Sequence, residues 1–282
     1  MLRSRVEQLP ASHRLRPRPP ARLRRRPRPA RVAVTLLLAT MLAAGCATGQ
    51  ARGDDEGELG GSITVFAAAS LTDVFTQIGA EFEAEYPGTT VVFNFAGSST
   101  LAQQINEGAP VDVFAAADPV AMQTVADASV TEVDPVVFAR NQLVIAVEPG
   151  NPLGLTGLAD LTRADVTLAL CAEQVPCGRA SAAVLAAGGV TVEPVTFEQD
   201  VRAALTRVAL GEVDAALVYR TDVSASSDVD GVEFPESSAA TNDYPITVLG
   251  DAPNPALAEA FVAYVRSATG AAALQAAGFQ GP

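Results

Sequence analysis

Ile63-Thr-Val-Phe-Ala-Ala-Ala-Ser70-Leu-Thr-Asp-Val-Phe-Thr-Gln-Ile-Gly-Ala-Glu-Phe-Glu-Ala-Glu-Tyr86, closed by Pro87-Gly88, is the stretch on which the fold turns. Ile63–Ala67 is a short apolar run bounded by polar residues and reads as a strand. Ser70–Tyr86 has helical periodicity, with Leu71, Val74, Phe75, Ile78 and Phe82 on one face. Ser70 and Asp73 stand as a serine-x-x-acid start signal, and Pro87-Gly88 stops the helix. A strand feeding directly into an amphipathic helix is the unit of an α/β fold.

The same alternation continues outward. Val91–Phe95 predicts a strand and Leu101–Asn106 a helix opened by Gly97-Ser98-Ser99-Thr100. Val111–Ala115 predicts a strand, and Pro119–Ala126 a helix with proline in its first turn. Further strands are expected at Leu143–Val147, Thr167–Leu170, Ala215–Tyr219 and Tyr244–Leu249. Helices are expected at Gly178–Ala187, Val201–Leu210, Pro255–Ser267 and Ala271–Ala276, with Ser224–Asp230 as polar loop. This order predicts largely parallel sheets. There is no internal repeat. The closing helices return to the first half, giving two lobes joined by two crossovers near Ala139–Leu143 and Ala240–Tyr244. Lobe 1 is then 62–140 with 244–282, and lobe 2 is 141–243.

Upstream of this body the chemistry differs. Residues 1–31 hold eleven arginines and one acid, Glu7, and Val32–Ala44 is apolar apart from two threonines. A basic arm, a short apolar core and small residues form a secretory signal, too short to span a bilayer. Leu42-Ala43-Ala44-Gly45-Cys46 resembles a bacterial lipoprotein cleavage site, with Cys46 as the lipidated first residue of the mature chain. The leucine usual three places before the cysteine stands one place earlier. Residues 46–61 are polar and glycine-rich and read as a flexible tether. An extracytoplasmic location follows, with lipid alone holding the protein to the membrane.

The chain has 19 basic and 32 acidic residues. Without residues 1–45, eight arginines face 31 acids, a net charge near −23, and the chain has no lysine. No basic footprint for nucleic acid remains. The one histidine, His13, lies in the signal. The mature protein therefore has no histidine for a catalytic couple or a metal site. A lone Cys177 nucleophile is the only enzymatic alternative, and it lacks a base. Outside the cytoplasm, the close pair Cys171 and Cys177 is expected to form a disulfide.

Three loops present hydroxyls and backbone N–H groups just before a helix: Ala68–Thr72, Ala96–Thr100 and Val175–Gly178. Gln199–Arg202 opens a fourth helix. Serine at a helix start is ordinarily only a cap. Unpaired N–H groups and the helix dipole also make such starts anion sites without any cation.

The ordered set Phe66-Ala-Ala-Ala-Ser70-Leu-Thr-Asp73, Phe95-Ala-Gly-Ser98-Ser-Thr-Leu-Ala102, Gln104-Ile-Asn-Glu-Gly-Ala-Pro-Val-Asp112, Val175-Pro-Cys-Gly178, Glu198-Gln-Asp-Val-Arg202 and Leu217-Val-Tyr219 resembles the bacterial molybdate-binding proteins of ABC importers, over roughly residues 62–280. The resemblance implies a type II periplasmic-binding-protein fold with an oxyanion held between the lobes. It implies ligation by the hydroxyls of Ser70, Ser98 and Tyr219 and by the backbone N–H groups of Cys177 and Val201. It also implies a permease as partner, no cofactor, no enzymatic activity and a monomer. Two positions depart from the family: Cys177, where alanine is frequent, and Gly97, where serine is frequent. A pocket of donors alone should reject a protonated anion such as hydrogen phosphate, whose proton needs an acceptor. It should also distinguish the smaller sulfate from molybdate or tungstate by reach. Arg179, Arg202 and Arg220 read as rim or structural charges. Receptors for sulfate or phosphate remain the alternative.

Overall fold

The computed structural model describes residues 59–128, 131 and 134–282; the expected signal segment, Cys46 and the expected tether as far as residue 58 lie outside the described residues. The chain runs β1 (Gly61–Ala68), a 3₁₀ turn (Ala69–Leu71), α1 (Thr72–Glu85), β2 (Thr89–Ala96), α2 (Ser98–Asn106), β3 (Val113–Ala115), α3 (Pro119–Ala126) and β4 (Val136–Asn141). It continues through β5 (Leu143–Val147), β6 (Leu168–Cys171), α4 (Pro176–Gly188), β7 (Thr196–Glu198), α5 (Val201–Ala209), β8 (Ala215–Tyr219), α6 (Arg220–Ser224) and β9 (Asp230–Val232). It then returns through β10 (Asn242–Val248), α7 (Pro255–Val265) and α8 (Ala268–Ala276).

These strands form two five-stranded sheets, ordered β2-β1-β3-β10-β4 and β7-β6-β8-β5-β9. This is the two-lobed α/β architecture expected, but the sheets are mixed rather than largely parallel. β1 runs parallel to β2 and β3, and β6 to β7 and β8. β10 is antiparallel to β3 and β4, and β5 to β8 and β9. A parallel neighbour requires a long return crossover. The chain instead steps from one sheet to the other between Asn141 and Leu143 and comes back in β10, with no returning helix. β4, β7, β9 and α6 were not expected. β7, β9 and α6 span only three to five residues, and β4 ends in the polar Arg140 and Asn141, so neither length nor period marks them.

The first sheet is covered on both faces. One face packs Phe75, Phe82 and Phe261, with ring centroids 6.2 Å (Phe75–Phe261) and 5.4 Å (Phe82–Phe261) apart. The other packs Phe66, Leu101 and Phe114. The second sheet has its own core around Leu143, Ile145, Val184 and Leu217. Burial on both faces explains why β5 and β8 read as unbroken apolar runs. Among the described residues, no helix is long and apolar enough to cross a membrane.

Candidate functional site

The C-terminal ends of β1 and β2 and the starts of α2, α4 and α5 meet where the two sheets face each other. There they enclose a pocket of about 220 Å³ of empty space, part of it open to solvent. Its wall includes Ser70, Ser98, Cys177, Val201 and Tyr219. All five residues singled out in the sequence, from four loops and one strand end, thus converge on one cavity. Pockets for drug-sized ligands run to about 300–1,000 Å³; this one suits a small ion.

Local structure explains why hydroxyls are available here. The start signal at Ser70 does not form a cap. Ser70 lies inside the 3₁₀ turn, and neither that turn nor α1 has a side-chain cap bond. The Ser70 hydroxyl instead hydrogen-bonds the Tyr244 hydroxyl at 2.9 Å. Ser98 is the first residue of α2, after Gly97, and likewise does not cap. Its oxygen accepts the Ala117 N–H at 3.0 Å. Asp200 does cap, accepting the Ala203 N–H at 2.9 Å, which ties the one acid on the pocket wall to the start of α5. Gly178 allows α4 to begin close against the chain: a Cβ there would lie 1.9 Å from the Ala172 carbonyl oxygen. Cys171 and Cys177 are joined as a disulfide, Cα–Cα 5.7 Å, pinning the first turn of α4 to the end of β6.

Tyr219 is 1 % exposed. Its oxygen accepts from Asn242 Nδ2 at 2.9 Å, and the same nitrogen donates to the Ala117 carbonyl at 2.9 Å. Burial, then the neighbouring Tyr244 and the carboxylates of Asp118 and Asp222, push the Tyr219 hydroxyl well above its ordinary value. Burial likewise raises Tyr244. Both therefore hold their protons and can act as donors.

No arginine lines the pocket. Arg179 reaches from α4 to Asp118 at the start of α3, 2.6 Å. Arg202 reaches from α5 to Asp73 of α1, 2.8 Å. Arg220 pairs with Glu233, 2.7 Å. The first two, with the Ser99 hydroxyl donating to the Gln174 carbonyl at 2.6 Å, fasten one lobe to the other around the cavity. Behind Tyr219, Asp222 is buried, and one of its oxygens accepts the Tyr219 N–H at 3.2 Å. Its other oxygen has no hydrogen-bond partner and faces Arg202 at 3.9 Å. Burial outweighs that arginine and raises the Asp222 carboxyl to about 7.

Sequence reasoning missed Ala117, Asn141, Asn242 and Tyr244, the residues that hold the hydroxyls. None belongs to a helix-start pattern, and their contacts span separations such as 174 residues for Tyr244 with Ser70.

Residues 63–280 match the family model described as bacterial extracellular solute-binding protein. The chain is 43% identical over 254 residues to the molybdate-binding protein ModA of Mycobacterium tuberculosis, covering 88% of this chain and 97% of that protein. Among solved structures it is similar to the substrate-binding domain of a putative molybdenum ABC transporter from Clostridium difficile, with TM-score 0.60 and 25% identity over 78% of this chain and 99% of that one. The periplasmic molybdate-binding protein of Azotobacter vinelandii shares the fold, with TM-score 0.68 and 21% identity over 78% of this chain and 99% of that one. With the cavity between two mixed sheets and the match spanning nearly all of both lobes, the chain belongs to the bacterial extracellular solute-binding protein family.

Proposed function

We propose that the protein captures molybdate, or the nearly isosteric tungstate, in the pocket between its lobes and delivers it to the permease of an ABC importer. Ser70, Ser98 and Tyr219 give hydroxyl protons, and Cys177 and Val201 give backbone N–H groups. Residues 62–140 with 244–282 act as one lobe and 141–243 as the other, and a lipid on Cys46 holds the assembly at the outer membrane face of the importer. The observation that carries this reading is a pocket walled by helix starts and neutral hydroxyls, with no arginine among the described residues that line it and its one acid, Asp200, tied to the start of α5. A buried dianion is tolerable only where every oxygen is hydrogen-bonded, and donors fixed beforehand reduce the cost of ordering them. The relatives named for molybdate support the choice of ion. They are binding components of transport rather than enzymes, and the disulfide removes the one thiol that could have served as a nucleophile.

Calorimetry with sodium molybdate, tungstate and sulfate tests the proposal. Ser70→Ala, Ser98→Ala and Tyr219→Phe should each weaken molybdate binding roughly ten- to a hundredfold. Arg220→Ala, whose partner Glu233 lies in the same lobe, should leave it unchanged. Loss of binding in the arginine variant with none in the serine variants would overturn the neutral-donor site. Tight sulfate binding without any response to molybdate would move the assignment to a sulfate receptor. For the anchor, Cys46→Ser should release the protein from membranes; a variant that still fractionates with them argues against lipidation.

A further inference from the structure

A hydroxyl has one proton and can spend it on the scaffold or on the ligand. The partners around two of the pocket hydroxyls decide which. Ser98 Oγ meets the Ala117 N–H, an obligate donor, so it must accept there. Tyr219 meets Asn242 Nδ2. That amide cannot be turned around, because the same nitrogen also faces the Ala117 carbonyl, an obligate acceptor. Tyr219 must therefore accept from Asn242 as well. Around Ser70 the arrangement has one more link. Asn141 Oδ1 accepts the Gln142 N–H at 3.0 Å, and its Nδ2 donates to the Thr221 hydroxyl at 2.8 Å. The Ser70 and Tyr244 hydroxyls lie 2.9 Å apart, and either can donate to the other. Ser98 and Tyr219 are thus each filled from behind by a donor.

We propose that Asn242, on the strand that carries the chain back between the lobes, is the positioning residue that turns the Tyr219 proton away from itself and toward the pocket, and so makes the site select fully deprotonated oxyanions. The inference rests on the anion site proposed above. The Tyr244 oxygen also lies within reach of the Tyr219 proton. A dianion is the stronger acceptor, because hydrogen bonds to a charged oxygen are about twice as strong as neutral ones. The Asn242 amide blocks the remaining alternative, in which Tyr219 would donate backward and turn a lone pair on the ligand. A lone pair there would welcome the proton of hydrogen phosphate; an O–H there repels it.

The test is the ratio of molybdate to phosphate affinity, by calorimetry at about pH 8, where phosphate is chiefly the singly protonated dianion. Asn242→Asp keeps the shape and replaces the donor with an acceptor, so Tyr219 turns its proton backward. The new charge repels both dianions alike and cancels in the ratio. We expect the ratio to fall by about tenfold or more. Asn242→Leu, which supplies neither donor nor acceptor, should weaken molybdate binding without raising relative phosphate binding. A double-mutant cycle with Tyr219→Phe supplies the second measurement, and melting temperatures of the ligand-free variants check folding. If Asn242 acts through Tyr219, either substitution at 242 should change the ratio little once the hydroxyl is gone. Equal ratios for the Asp and Leu variants, or effects that add to that of Tyr219→Phe, would reduce Asn242 to a structural bridge. If Asn242→Asp does not fold, the cycle with Asn242→Leu read on molybdate affinity decides: its loss should largely vanish in the Tyr219→Phe background, and a loss that adds in full would reduce Asn242 to a structural bridge. A parent protein that binds neither molybdate nor tungstate would instead defeat the reading of the site itself.

Discussion

Asp222→Asn should stabilise the protein, and more so as the pH rises. The carboxyl is completely buried behind Tyr219, with one oxygen lacking any hydrogen bond and its nearest cation, Arg202, 3.9 Å away. Burial is the dominant cause that lifts it from an ordinary 3.8 to about 7; the charges of Asp73 and Asp200 add to the lift, and Arg202 and the Tyr219 N–H oppose it. An acid whose pKa is higher in the folded state favours folding while protonated. That advantage is complete below the unfolded value and is lost as pH rises through the folded value. The loss should be spread between about pH 4 and pH 7. At about 1.4 kcal/mol per unit, the parent should lose about 2–3 kcal/mol relative to Asp222→Asn between pH 5 and pH 8. The asparagine oxygen can still accept the Tyr219 N–H, so the start of α6 is kept. Urea denaturation of both proteins without anion, at half-unit steps from pH 5 to pH 8.5, measures the difference directly, and other titrating groups cancel in the subtraction. A difference that stays flat with pH, or a variant less stable at pH 8 than at pH 5 relative to its parent, would refute the assignment of a buried, partner-poor carboxylate.

Two further outcomes follow from the same geometry. A Cβ at Gly97 would sit 2.4 Å from the Gln199 carbonyl oxygen, across the seam between the lobes. Gly97→Ala should therefore strain the contact between the lobes at about 1–3 kcal/mol and weaken anion binding on the order of ten- to a hundredfold; unchanged affinity by calorimetry would show that the seam can yield. The Cys171–Cys177 bridge closes a short loop that holds the first turn of α4. Thiol titration of residues 171 and 177 in the native protein should find none free, and Cys171→Ser with Cys177→Ser should cost about 2 kcal/mol of stability and also weaken anion binding, whereas a purely local staple would leave binding intact.

Much of this protein was legible in the sequence because its determinants are local. Strand β5 and helix α5 were read within a residue of their observed ends, since an apolar run and a 3.6-residue period need no partner to be seen. The absence of lysine, and the place of the one histidine, His13, in the expected signal, narrowed the classes of chemistry by inventory alone. The helix starts at Ser70, Ser98, Cys177 and Val201 were visible as small and hydroxyl residues ahead of apolar faces. What those residues do was decided elsewhere. Ser70 looked like the opening of a capping box. Tertiary structure gave its hydroxyl to Tyr244, and capping is a contest that a buried partner from a distant strand can win. The directions fixed at Ser98 and Tyr219 depend on Ala117 and Asn242, which meet only because β10 carries the chain back between the two sheets. Asp222 reads as one acid among many in an acidic chain; only the packing of α6 behind Tyr219 removes it from water and changes what it can hold. Local pattern specifies which groups can donate, whereas the direction in which they donate follows from contacts between residues far apart in the chain, which no local pattern encodes.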